Sequence, residues 1–306
     1  MCYSPDRHSP LVPGETNMAR VREPGTGPAS LLLERTHLDL PWGRLNVWRS
    51  GAGPPVVALH GLGGSGRYWA GLVPLVRGDR SLAFPDLAGF GLSDKPRLRY
   101  HRHFHLENLE ALIDSLGSLE PVVIVGHSVG GVLAALWAAR HPGRVGALAL
   151  ISVPYPNPLL VPGAARRLAE GPPDTRGRVV GGVFRLLWPA AHLLTRATGR
   201  FPPEVVGDFG RQSLGARADT MRTLLGDLTI ELELGGLRGL PVSVPSLILA
   251  SEDDRHVDGT AVAKWHQLLP HAELSILPDG GHQHLIRAGF QPLADWINAL
   301  PPGRAD

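Results

Sequence analysis

Short apolar runs alternate with longer segments of mixed polarity along most of this chain. The first two runs, over residues 31–40 and 45–50, are separated by Pro41, Trp42 and Gly43, a pattern typical of an antiparallel hairpin. The later runs are continuously apolar, which indicates strands buried on both faces of a mainly parallel sheet. They cover residues 55–59, 81–84, 122–125, 147–151, 246–250 and 273–277.

Segments with helical periodicity lie between several of these strands, and a final one follows the last strand. They cover residues 104–119, 129–140, 260–269 and 290–300. Strands that alternate with helices predict an α/β fold with a doubly wound, mostly parallel sheet, here of eight strands.

One connection is far longer than an ordinary crossover, since about ninety residues separate the run that ends at Ile151 from the run that begins at Ser246. Its sequence suggests short helices broken at Pro and Gly, so we expect a helical cap over residues 154–240. The core is then formed by residues 31–153 and 241–306. The alternative is an insertion that only stabilises the sheet edge.

The first 30 residues are polar and rich in Pro and Gly, which predicts a disordered tail and leaves Met18 as an alternative start. We expect no secretion signal, because these residues lack a basic segment followed by an apolar one, and no apolar run in the sequence is long enough to span a bilayer. Cys2 is the only cysteine, so an intramolecular disulfide and a metal-thiolate site are excluded. We expect a cytoplasmic protein.

Composition narrows the classes of partner. The chain has 30 basic and 28 acidic residues and a net charge of +2, a balance that does not favour nucleic-acid binding. The 38 glycines and 29 prolines show no repeat and indicate many turns. High Arg, Ala, Gly and Pro usage suggests a GC-rich bacterial genome. The expected partner is a small-molecule substrate, without cofactor or metal, bound by a monomer or homodimer.

Ser128 is the candidate nucleophile. It lies in the sequence Gly126, His127, Ser128, Val129, Gly130, directly after the strand 122–125 and directly before the helix 129–140. A sharp strand-to-helix turn exposes the serine, and small residues two positions before and after it avoid clashes. The helix N-terminus also favours a developing negative charge.

A serine nucleophile needs a histidine base and a carboxylate that orients the base. Among 14 histidines, His282 follows the strand 273–277 near a sheet edge, and His284 is its near rival. Glu252, Asp253 and Asp254 follow the strand 246–250. We choose Asp254, because the first residues after a strand are needed for the turn.

An oxyanion hole would need two backbone amides near Ser128. The amide of Val129 follows the nucleophile, and Leu62 is the second candidate because it lies in the glycine-rich loop 60–66 after the strand 55–59. This loop lacks the spacing of a phosphate-binding loop. His60, His127 and Trp188 are our candidate substrate contacts.

With these motifs the sequence resembles the α/β-hydrolase superfamily, in the group with a helical cap between the sixth and seventh predicted strands. The resemblance covers residue 31 to the C-terminus and rests on HGLGGSGRYW (60–69), PDLAGFGLSDKP (85–96), GHSVGG (126–131), SEDDRHV (251–257) and GGH (280–282). It implies the triad Ser128, Asp254 and His282, oxyanion donors at Leu62 and Val129, and structural roles for Asp86 and Ser93. Ser251 departs from the glycine that many relatives have there.

The nucleophile type divides this superfamily, in which related haloalkane dehalogenases and epoxide hydrolases use Asp. Ser128 therefore implies a serine hydrolase that forms an acyl-enzyme from an ester, thioester, lactone or amide. Apolar residues of the predicted cap favour a small apolar acyl or aryl substrate. Two alternatives remain: a carbon–carbon bond hydrolase with the same triad, and a non-catalytic relative that binds small molecules.

Overall fold

The structure, a computed structural model, describes residues 18–21, 33–155, 203–221, 237, 239–240 and 243–301. These residues build one nine-stranded sheet with the order β1-β2-β3-β5-β4-β6-β7-β8-β9. The strands are β1 (Met18–Val21), β2 (Glu34–Leu40), β3 (Gly43–Ser50), β4 (Pro55–Leu59), β5 (Ser81–Pro85), β6 (Val122–His127), β7 (Val145–Ile151), β8 (Ser246–Ser251) and β9 (Glu273–Leu277).

The sheet is parallel from β5 to β9 and antiparallel at its other end. β2 and β3 form the predicted hairpin, and β3 pairs antiparallel with β5. β4 lies between β5 and β6, followed by β7, β8 and β9 in parallel. Every residue of β4, β5, β6 and β8 is buried. The continuously apolar runs thus form the strands that helices cover on both faces.

Helices cover both faces of this sheet. They are α1 (Arg102–Ser115), α2 (Val129–Arg140), α3 (Pro203–Phe209), α4 (Leu214–Met221), α5 (Gly259–Leu268), α6 (His284–Ala288) and α7 (Gln291–Ala299), with 3-10 turns at Gly66–Leu72, Pro142–Arg144 and Gly281–Gln283. The hydrophobic core consists of two clusters, because successive side chains of β6 point to opposite faces of the sheet. Ile124 belongs to the cluster with Trp137, and Val125 belongs to the cluster with Trp69. The predicted α/β fold is confirmed.

Two details differ from the predictions. β1 lies within the predicted tail and pairs with β2, because an extended segment satisfies the free backbone groups of an edge strand. β9 was predicted to be buried on both faces, but Leu274 and Ile276 are 43% and 48% exposed. β9 is the last strand of the described sheet, so one side of it has no neighbouring strand.

The long connection between β7 and β8 contributes the helices α3 and α4, in agreement with its predicted helical content. The rest of that segment, including Trp188, and most of the predicted tail lie outside the described residues. The limits of the predicted cap at residues 154 and 240 therefore stay predictions. No helix in the described part of the chain combines the length and hydrophobicity that crossing a bilayer requires.

Candidate active site

Ser128 lies at the turn between β6 and α2 in a conformation that L-residues rarely adopt. Its φ and ψ are 54° and −122°, and it precedes the first residue of α2. The turn is tight, because a Cβ at Gly130 would lie 2.4 Å from the Leu59 carbonyl oxygen and 2.6 Å from that of His60. The small residues around Ser128 therefore let α2 start directly against the end of β4.

Hydrogen bonds connect Ser128, His282 and Asp254 in one chain. Ser128 Oγ lies 3.0 Å from His282 Nε2, and His282 Nδ1 lies 2.9 Å from Asp254 Oδ2. The geometry fits a neutral imidazole that accepts the serine proton at Nε2 and donates from Nδ1 to the carboxylate. Three residues from three different connections of the sheet thus meet at the carboxyl ends of its parallel strands.

The Asp254 carboxylate is held in its charged form. Burial alone would raise its pKa, but the hydrogen bond and charge of His282, the His256 amide and the Ser152 hydroxyl outweigh burial and lower the pKa to about 2. Asp254 Oδ1 accepts from the amides of His256, at 2.8 Å, and Val257, at 3.1 Å. These bonds leave Oδ2 directed at His282.

Of the three carboxylates after β8, only Asp254 contacts His282 among the described contacts. Asp253 Oδ1 accepts from Ser251 Oγ and from the Gly281 amide, both at 2.6 Å, and these donors lower its pKa. Asp253 therefore links two loops: the loop after β8, to which it belongs, and the loop that carries His282. Glu252 is exposed. Ser251, the departure from the common family pattern, is the partner of Asp253.

His284, the rival of His282, lies behind the site. It is fully buried at the start of α6, with Nδ1 3.2 Å from the Gly281 carbonyl oxygen and 3.4 Å from Ser152 Oγ. Ser152 itself was missed by the sequence analysis. It follows β7 with a φ of 45°, and a sequence offers no direct signal for such a conformation outside glycine.

The glycine-rich loop 60–66 lies against the nucleophile. A Cβ at Gly61 would be 3.2 Å from Ser128 Cβ and 2.8 Å from His127 Nδ1, so only glycine allows this approach. Leu62 follows Gly61 directly and is half-buried. The amide of Val129 belongs to the first turn of α2, where backbone amides have no helical acceptor. The structure thus brings both candidate oxyanion segments to Ser128.

His60 is placed differently from the sequence prediction of a substrate contact. It is fully buried, its Nε2 accepts from the Leu87 amide at 3.0 Å, and its Nδ1 lies 2.8 Å from the Gly61 carbonyl oxygen. Burial lowers its pKa to about 4, so the ring is neutral. Both ring nitrogens are occupied by backbone groups, and His60 supports the loop rather than presenting a polar atom to a substrate.

His127 also lies behind the reacting groups. Its Nε2 is 2.7 Å from the His282 carbonyl oxygen, which makes Nε2 the donor, and its ring stacks on Tyr68 with centroids 5.0 Å apart. Burial and the neighbouring His282 lower its pKa, so the ring is neutral. His127 therefore supports the backbone of His282, whereas its Nδ1 has no hydrogen-bond partner among the described residues.

Among the described residues, Asp254, His256 and His282 form a group whose side chains could together hold a metal ion. Their ligand atoms lie within 4.8 Å of one another. However, His282 Nδ1 and Asp254 Oδ2 are already bonded to each other, and Asp254 Oδ1 is bonded to two amides. A metal ion at these residues would have to break the bond that orients the imidazole. The arrangement therefore fits proton transfer better than metal binding.

Comparisons with known proteins agree with the fold. Residues 54–286 match the α/β hydrolase fold family, and the chain belongs to that family. A solved structure of E-2-(acetamidomethylene)succinate hydrolase superposes with a TM-score of 0.66 over 88% of this chain and 98% of that one, at 22% identity. This likeness supports the fold.

Two curated relatives show the range of activities among similar proteins. A cis-3-alkyl-4-alkyloxetan-2-one decarboxylase from Shewanella oneidensis is 28% identical over 82% of this chain and 83% of its own length. A 2-hydroxymuconate semialdehyde hydrolase from Pseudomonas sp. strain CF600 is 36% identical over 35% of this chain and 39% of its own length. The family is thus established, whereas the two relatives are named for different reactions.

Proposed function

We propose that this protein is a serine hydrolase that cleaves a carboxylic ester, thioester or lactone with a small apolar acyl or aryl group. The observation that carries the proposal is the hydrogen-bonded chain from Ser128 Oγ through His282 to Asp254, at 3.0 and 2.9 Å. A non-catalytic binding protein would not require this arrangement of nucleophile, base and carboxylate.

The first half of the reaction forms an acyl-enzyme. Ser128 Oγ attacks the acyl carbon while His282 Nε2 takes its proton, and the negative charge on Asp254 stabilises the imidazolium. The amides of Leu62 and Val129 stabilise the oxyanion of the tetrahedral intermediate. The intermediate collapses when His282 gives its proton to the leaving oxygen or sulfur.

The second half of the reaction hydrolyses the acyl-enzyme. Water, deprotonated by His282, attacks the acyl group, and His282 returns the proton to Ser128 Oγ as the acid is released.

The lactone option has support from one relative, which is named as a decarboxylase of a lactone and therefore supports the class of ligand rather than the hydrolysis. The Shewanella protein is named for an oxetan-2-one, which is a four-membered cyclic ester. Attack by Ser128 on such a carbonyl would open the ring without losing a separate leaving group, and hydrolysis of the acyl-enzyme would yield a hydroxy acid. We therefore include strained lactones among the substrates to be tested.

Carbon–carbon bond hydrolysis is the second candidate. It is favoured by the 36% identity over 112 residues to a 2-hydroxymuconate semialdehyde hydrolase. The same serine, histidine and carboxylate would serve, but the leaving group would be a carbon that needs a proton.

We further propose a small-molecule substrate, a cytoplasmic location and a monomer or homodimer. The single cysteine at position 2 is consistent with a reducing compartment.

The first experiment measures nitrophenolate release from p-nitrophenyl esters of increasing acyl length. Ser128→Ala and Asp254→Asn should each lower kcat by roughly 10³-fold or more, because the nucleophile or the orientation of the base is lost. Ser118→Ala changes an exposed serine and is the matched control, expected to behave as wild type. A fluorophosphonate probe should label wild type and Ser118→Ala but not Ser128→Ala.

The outcomes separate the candidates. Hydrolysis of a β-lactone or an ester that disappears in Ser128→Ala supports the proposed function. Labelling of Ser128 together with turnover of 2-hydroxymuconate semialdehyde, and no ester or lactone hydrolysis, would favour the carbon–carbon candidate. Absence of both labelling and turnover would contradict an enzymatic role and favour a binding protein.

A further inference from the structure

Asp208, in the helix α3 of the long insertion, is bonded to the segment that ends the glycine-rich loop 60–66. We propose that Asp208 is a positioning residue, which acts through Ser65 and Arg67 to hold this loop, and with it the Leu62 amide, against Ser128. The proposal rests on the proposed function, because the loop matters for the reaction only if its amide stabilises an oxyanion.

The contacts of Asp208 are short and buried. Its Oδ2 accepts from Ser65 Oγ and Arg67 Nε, both at 2.8 Å, and its Oδ1 accepts from Arg67 Nη2 at 2.6 Å. The Asp208 side chain is fully buried, and that of Arg67 is 18% exposed. The guanidinium therefore binds the carboxylate in the bidentate form, which fixes the orientation of both groups.

The Ser65 hydroxyl forms its hydrogen bond with Asp208 rather than with the backbone of the turn that follows it. Ser65 precedes the 3-10 turn Gly66–Leu72, a position from which a serine commonly caps its own helix. Here the side chain makes no such bond, and its hydroxyl donates to Asp208 instead. The Ser65 side chain is thus bonded to the insertion, whereas the Ser65 carbonyl oxygen accepts from the Tyr68 amide of its own turn at 3.0 Å.

A second carboxylate holds the same end of the loop from the core. Asp86 Oδ1 accepts from the Gly66 amide at 2.6 Å, one residue after Ser65. The Arg67 guanidinium also lies over the Trp48 ring, 5.2 Å from its centroid. Residues 65–67 are therefore held by a core carboxylate on one side and by the insertion's carboxylate on the other.

The neighbouring residue of α3 contacts the middle of the loop. Gly63 has a φ of +82°, and a Cβ there would lie 2.7 Å from Phe209 Cε2. Leu62 is thus flanked by Gly61, which approaches Ser128, and by Gly63, which packs against α3. Displacement of α3 would move the residues on one side of Leu62 while Ser128 stays with α2.

The consequence is a selective effect on the transition state. If Asp208 loses its charge, the Arg67 bond weakens and the loop gains freedom, so the Leu62 amide is no longer held for the oxyanion. An oxyanion donor acts mainly on the tetrahedral intermediate and not on the bound ester. Asp208→Asn should therefore lower kcat about 10-fold to 100-fold with little change in KM.

The test compares Asp208→Asn, Arg67→Lys and the milder Ser65→Ala with wild type. Each variant is assayed with an ester and with the matching thionoester, whose sulfur anion uses oxyanion-hole hydrogen bonds poorly. We expect the ester rate to fall more than the thionoester rate. Arg144→Lys is the matched control, since Arg144 makes an equally short ion pair with Glu110 and Asp114 on α1 and should leave the rate ratio unchanged.

Two results would overturn the proposal. The first is a lower melting temperature in Asp208→Asn with an unchanged ester-to-thionoester ratio, which would mean that the ion pair serves stability alone. The second is unchanged amide hydrogen exchange over residues 62–66 in Asp208→Asn, where the proposal expects faster exchange. The exchange measurement does not need turnover, so it decides the positioning role even if the wild-type protein hydrolyses neither substrate.

Discussion

The backbone of Ser128 is strained, and a hydrogen bond to the neighbouring strand β7 stabilises it. Its φ of 54° corresponds to a strain on the order of 1–3 kcal/mol. Its amide donates to the Ile151 carbonyl oxygen at 2.9 Å, and the Ser152 amide donates to the Leu249 carbonyl oxygen at 2.8 Å. The two described non-glycine residues with positive φ thus follow adjacent parallel strands, and both lie beside the candidate triad.

Gly61→Ala tests how closely the loop 60–66 approaches the nucleophile. The new methyl group would lie 2.8 Å from His127 Nδ1 and 3.2 Å from Ser128 Cβ, so the loop must retreat. We expect kcat/KM for the ester to fall about 10-fold to 100-fold, because small displacements of catalytic groups are costly. Gly78→Ala, where nothing lies within 4 Å, is the control. Equal activity of both variants would contradict this placement.

Asp86 joins several elements at the amino-terminal half of the sheet. Its two carboxylate oxygens accept from the Gly66 and Leu92 amides, the Trp48 indole and the Asn46 amide group. Ser93 adds a bond from its hydroxyl to the Asp86 carbonyl oxygen at 2.6 Å. One buried carboxylate therefore holds β3, the 3-10 turn after the glycine-rich loop, and the turn after β5 together.

Asp86→Asn should destabilise the protein at neutral pH. An amide group has one acceptor oxygen, so its NH₂ would face two of the four donors that now bind the carboxylate. We expect a loss of about 2–4 kcal/mol in the free energy of unfolding, measured with urea. Asp79→Asn changes a half-exposed aspartate and should cost far less. A similar loss in both variants would refute the role given to Asp86.

The whole molecule buries several histidines in neutral form, which makes its stability depend on pH. Burial lowers the pKa of His60 to about 4 and that of His105 to about 3, and it lowers the pKa of His127 and His284 as well. Above pH 6.5 these groups are neutral in both the folded and the unfolded chain. Below it the unfolded chain binds protons that the folded protein does not, so stability falls.

We therefore expect the free energy of unfolding to decrease between pH 7 and pH 5. Asp86 opposes this trend, because burial and the charge of Asp208 raise its pKa to about 6 and its protonation favours the folded state. His105→Gln should reduce the decrease measured by urea unfolding, whereas the exposed His271→Gln should not. A decrease that is the same in wild type and His105→Gln would count against His105 as a source.

The positions of the strands along the chain, the turn at Ser128 and the candidate histidine and acid loops could be predicted from the sequence. Each depends on residues close together in the chain: apolar runs for strands, small residues around a strained serine, and loops that directly follow a strand. His60 follows β4 in the predicted glycine-rich loop, and His127 lies directly before Ser128 as the last residue of β6. Their roles differed from the prediction, because the partners of their ring nitrogens come from residues 87 and 282.

Only the tertiary structure decided which side chains meet. The sequence analysis preferred Asp254 to Asp253 and Glu252, and His282 to His284, without a contact to support either choice. The contact itself arises because the loops after β8 and β9 converge on the end of β6, where His282 bonds both Ser128 and Asp254. Asp208 and Arg67 are 141 positions apart, and no local pattern connects them. Local patterns arise from interactions within a few residues, whereas these contacts depend on strand order and register across the sheet.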